Sequence, residues 1–91
     1  MTKEQKATVV EYAAQLPEED LRYLSVRLIE RLSGDLAEAL DFMSRSRKMD
    51  DLLSASASAN ELFTNCDQIR DVFSKECKKR VISLRYIQNA A

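Results

Sequence analysis

One proline and one glycine stand in 91 residues, and that scarcity constrains the chain more than any motif in it. Proline and glycine are the residues that a helix interior tolerates worst. Pro17 falls where a helix is expected to begin and Gly34 where one is expected to stop. Between and beyond them the apolar residues recur at a helical period. The expectation is an all-α fold with a single helical domain over 1–91. It is a small bundle of about four helices, with an N-terminal antiparallel hairpin and a long C-terminal helix packed along it.

The boundaries follow from local chemistry. Thr2 and Gln5 form a capping-box pattern that opens a helix over 3–15. Its face carries Val9, Ala13 and Leu16, with Tyr12 at the edge. Pro17 suits a first helical position, and Glu18, Glu19 and Asp20 after it match the positive end of a helix dipole. This second helix is expected over 18–33, with a stripe of Leu21, Leu24, Leu28 and Leu32 flanked by Ile29. Gly34 reads as a left-handed stop. Asp35 then caps a third helix over 36–48, carrying Leu36, Ala39, Leu40 and Met43. Residues 49–60 read as a connector, in which Asp50 and Asp51 start a further turn through Leu52 and Leu53 and serine alternates with alanine at 54–59.

Asn60 and Glu61 open the last helix, expected over 61–80 and extending to 88. Leu62, Cys66, Ile69, Phe73, Cys77, Leu84 and Ile87 lie within a sector of about 80°. Unbroken to 88, this helix is about 42 Å long. A compact chain of this size has a radius of gyration of about 12 Å. Either the helix breaks near Lys78-Lys79-Arg80, or a second chain covers its end. The stripe is therefore read as the main core or as a partner interface, with Leu62, Ile69, Phe73, Leu84, Tyr86 and Ile87 as the interface candidates.

The run Ala13-Ala14-Gln15-Leu16-Pro17-Glu18-Glu19-Asp20, leading into Leu21, Leu24, Leu28, Ile29 and Leu32, resembles the helix–LPxE–helix openings of some small bacterial antitoxins. The resemblance implies a tight helical hairpin and brings no activity with it.

Chemistry is sparse. With no histidine, the chain lacks the commonest general base and metal ligand. The acids at 18–20 and Asp50-Asp51 are explained by helix starts, and Ser54, Ser56 and Ser58 have no evident base. No catalytic residue, metal site or cofactor is expected, and the protein is read as not an enzyme. Cys66 and Cys77, eleven positions apart, lie about 16 Å apart along a helix and read as small core residues.

Net charge is −1, unevenly spread: nine acids and five bases in residues 1–41 give −4, and six acids and nine bases in 42–91 give +3. Such a division suits head-to-tail or antiparallel self-association. The start, Met1-Thr2-Lys3-Glu4-Gln5, lacks an apolar signal core, so no membrane and a cytoplasmic location are expected. Tyr23 and Val26 lie on the back of the second helix, and Ala7, Val10 and Ala14 form a minor face on the first. The functional expectation is a non-catalytic interaction module or small regulator. It works through helix–helix contacts, as a homodimer or with another helical protein. The alternative is a nucleic-acid-associated regulator using Lys75, Lys78, Lys79, Arg80 and Arg85. A helix-turn-helix reading of the second and third helices fails, because Asp35, Glu38 and Asp41 would face phosphates.

Overall fold

The computed structural model describes residues 1–30, 33–54 and 58–82. The all-α bundle expected from the sequence is the fold observed, with five helices among the described residues. They are α1 (Lys3–Gln15), α2 (Glu18–Glu30), α3 (Ser33–Ser44), α4 (Arg47–Ser54) and α5 (Ala59–Lys79).

α1 opens on the expected capping box: Gln5 N donates to Thr2 Oγ1 at 3.1 Å and Thr2 N to Gln5 Oε1 at 2.9 Å. It ends at Leu16, whose extended backbone (φ −70°, ψ 138°) is the conformation that a following proline imposes. Pro17 sits one place earlier than expected, at the cap of α2, where its carbonyl accepts from Leu21 N at 2.9 Å.

Gly34 corrects the sequence reading. It belongs to the first turn of α3 and has no positive φ, so it stops nothing. Asp35 lies in that same first turn and is not the cap. α3 ends at Ser44, short of the expected 48, in a turn where Ser46 N donates to Met43 O at 3.1 Å. The expected connector over 49–60 contains most of α4, whose Met49 and Leu52 are buried. Eight residues with apolar positions at i, i+3 and i+4 make one amphipathic face, enough for a helix once a neighbour covers it.

α5 begins at Ala59, where Ser58 Oγ caps Glu61 N at 3.2 Å, two residues before the expected start. It stops at Lys79, at the break expected near Lys78-Lys79-Arg80, and residues 83–88 of the expected extension lie outside the described residues. Ile82 N donates to Cys77 O at 2.8 Å and Val81 N to Lys78 O at 3.2 Å. These two bonds, with Val81 left-handed at φ 60°, form a Schellman stop. Ile82, just past the stop, is buried. Twenty-one residues measure about 32 Å, and the molecule's longest dimension is 36 Å. The helix therefore fits inside the bundle without overhang.

The packing order is cyclic. α5 packs between α1 and α2, α2 also packs on α3, α3 on α4, and α4 on α1. Their inner faces share one core, including Val9, Leu21, Leu24, Leu28, Met43, Met49, Ile69 and Phe73. Cys66 and Cys77 are buried and free, as expected of small core residues. The Tyr12 ring lies 6.2 Å from that of Phe73. Burial, helped by the negative charge of Asp20, raises the Tyr12 phenol above its ordinary range.

Candidate interaction surface

The stripe on α5 resolves into core. Ile69 and Phe73 are wholly buried against the chain's own helices, so neither offers a surface to a partner. Leu62 is half-buried at the edge of that core. Leu84, Tyr86 and Ile87 lie outside the described residues, as do Leu32 and Arg85.

The basic cluster is also divided. Lys75, Lys78 and Lys79 are exposed and make no ion pair among the described residues. Arg80 does different work and is withdrawn from the expected nucleic-acid contacts. Its guanidinium reaches across to the end of α1 and donates to Leu16 O at 2.6 Å, Ala14 O at 2.8 Å and Ala13 O at 2.9 Å. Its Nε donates to Glu76 Oε1 at 2.9 Å. The last carbonyls of any helix lack internal partners and carry the negative end of its dipole. α1 has no basic residue in its own last turn, and Arg80 supplies the missing cation from α5. The sequence signal for this is nil, because the donor and its acceptors are 64–67 positions apart.

One outward surface combines aromatic, aliphatic and charged side chains. It lies on α2 and the adjoining edge of α3. Tyr23 and Val26 are half-buried there, as the helical period placed them. The Arg27 guanidinium stacks over the Tyr23 ring at 3.5 Å and donates to Tyr23 O at 3.3 Å. Glu38 accepts from the Tyr23 hydroxyl at 3.2 Å and from Arg27 Nε at 3.5 Å. Phe42 completes the surface, its ring 5.9 Å from Tyr23, with Arg45 5.6 Å from Phe42. A shallow cleft of about 270 Å³ follows the same face, lined by Glu19, Arg22, Tyr23, Val26 and Arg27. Arg22 Nε is buried without an acceptor, while its outer nitrogen meets Glu18 at 3.0 Å. Glu19 is exposed and makes no ion pair among the described residues.

The sequence reading missed Arg27, Glu38 and Phe42. The signal available was the i, i+4 spacing of Tyr23 and Arg27; nothing local joins them to α3. The minor face on α1 is exposed as expected, Val10 by 48%. The groove between α1 and α4 is bridged by an exposed Lys48–Glu11 pair at 3.6 Å and lined mainly by polar side chains. No cluster of metal-ligating side chains occurs among the described residues. No helix among them is long and apolar enough to cross a membrane.

No family model matches the chain, and no curated protein or solved structure matches it.

Proposed function

We propose that this protein is a non-catalytic interaction module, a small regulator that works by helix-to-helix contact through the outer face of α2 and α3. The observation that carries the reading is the fixed Tyr23–Arg27–Phe42 arrangement at the surface. Tyrosine and arginine dominate the energetic centres of protein interfaces. Side chains already held by stacking and by Glu38 have less conformational freedom left to lose on binding.

A photo-crosslinking amino acid placed at Val26 tests this in cells, with the same group at Lys75 as the comparison. Adducts from position 26 and none from position 75 are the expected outcome. No adduct at 26, or equal yield from both, would overturn the reading.

A second reading, association with a nucleic-acid backbone, is favoured by the unpaired Lys75, Lys78 and Lys79. Three phosphate contacts imply a slope of about −2 to −3 in log affinity against log salt. A flat dependence would remove this alternative.

A further inference from the structure

We infer that the partner of the α2 face is a second copy of this chain, bound with the two α2 helices antiparallel about a twofold axis at Tyr23. This rests on the interaction-module reading and names its occupant.

The argument is the order of side chains along one stripe. Glu19, Tyr23 and Arg27 are spaced i, i+4, i+8, so all three lie on the same side of α2. Glu19 and Arg27 stand four residues, about 6 Å of helix axis, on either side of Tyr23. A twofold axis through Tyr23 sets Glu19 opposite the partner's Arg27 and Arg27 opposite the partner's Glu19. Tyr23 then meets its own counterpart, and Val26, beside it, covers the edge of that contact. Twofold interfaces demand this self-complementarity, in which one patch serves both sides.

The first turn of α2 carries Glu18, Glu19 and Asp20, and its last turn carries Arg27 and Glu30. Side by side in parallel, two such helices set their acidic first turns together, whereas antiparallel those turns lie apart and each Glu19 meets an Arg27. Their backbone dipoles oppose in the same favourable sense. Arg27 is held in place by its own Tyr23 and Glu38, while the exposed Glu19 carboxylate is unpaired among the described residues. The pairing therefore joins a fixed cation to a free anion. A parallel pairing of α2 instead sets Glu19 against Glu19 and Arg27 against Arg27.

A charge-exchange experiment reads this directly, using the full chain and solution mass across a concentration series. The unaltered chain is expected to dimerise. Glu19→Arg alone places two arginines together, and Arg27→Glu alone places two glutamates together. Each is expected to raise the dimer dissociation constant about 10–100-fold. Mixing the two single variants is expected to restore dimers, now mixed, because each chain carries the complement of the other. The double variant Glu19→Arg/Arg27→Glu is expected to dimerise with itself. Restoration on mixing is a result that misfolded chains cannot produce.

A monomer at every concentration would overturn this inference. So would a dimer indifferent to both single changes, or single variants that stay apart when mixed. Crosslinks from position 26 to a different protein would overturn it too, while leaving the interaction-module reading standing. Loss of all adducts at that position would remove both.

Discussion

Val81 and Gly34 occupy each other's expected places. Val81 is a β-branched residue held at φ 60°, 89% exposed, at the position of a helix stop where glycine is the usual occupant. Left-handed backbone costs such a residue about 1–2 kcal/mol. Little packing is lost on removing its side chain, so Val81→Gly is expected to stabilise the fold by about 0.5–1 kcal/mol. The gain is offset in part by the freedom glycine adds to the unfolded chain. Gly34 sits in the first turn of α3, where a Cβ would meet nothing within 4 Å. Gly34→Ala is expected to add about 0.5–1 kcal/mol. Urea unfolding of the two variants checks both, and a loss at either position would refute the backbone geometry described for it. These two residues also mark where sequence reasoning goes astray. A glycine advertises a left-handed position without requiring one, and a valine conceals it.

At the scale of elements, stripes were legible and ends were not. The positions 9 and 13, 21, 24 and 28, and 66, 69, 73 and 77 share faces because the helical period fixes them, and all are buried. The outward Tyr23 and Val26 followed from the same arithmetic. Helix α4 was obscured by its length, since eight residues give barely two turns of pattern. The α5 start was written in Ser58-x-x-Glu61, a cap signal overshadowed by Asn60. Arg80 belongs to this scale because it joins two helix ends. Removing it strips three carbonyls of a charged donor and leaves Glu76, only 14% exposed, without its cation. Arg80→Ala is expected to cost about 2–3 kcal/mol. Arg80→Lys keeps the charge but not the fork that spans several acceptors, and is expected to recover less than half of that. Thermal unfolding of both variants measures this, and equal stability of Lys and Arg would show that charge alone matters.

At the scale of the molecule, the cyclic packing order makes α5 the element on which the rest depends. It separates α1 from α2 and brings Phe73, wholly buried, to the shared core. Phe73→Ala is expected to cost about 3–5 kcal/mol, a large part of the stability a domain this small possesses. A loss below about half a kcal/mol would show the core to be elsewhere. The class of fold was legible because proline and glycine are scarce and the apolar residues recur at a helical period. The cyclic order was not, because short connections specify which elements follow one another and not which of them meet. The candidate surface was half legible for the same reason. Its α2 residues lie on one helix, while Glu38 and Phe42 reach them only through tertiary packing.

The bridge from Arg80 to the end of α1 has a consequence for biosynthesis. A nascent chain emerges from its N-terminus, yet the carbonyls of Ala13, Ala14 and Leu16 receive their donor from a residue made more than sixty positions later. Until residue 80 has left the ribosomal tunnel, the carbonyls of Ala14 and Leu16 lack this donor and the groove for α5 stays open. The described fold is therefore complete only after nearly all of its described length has been released.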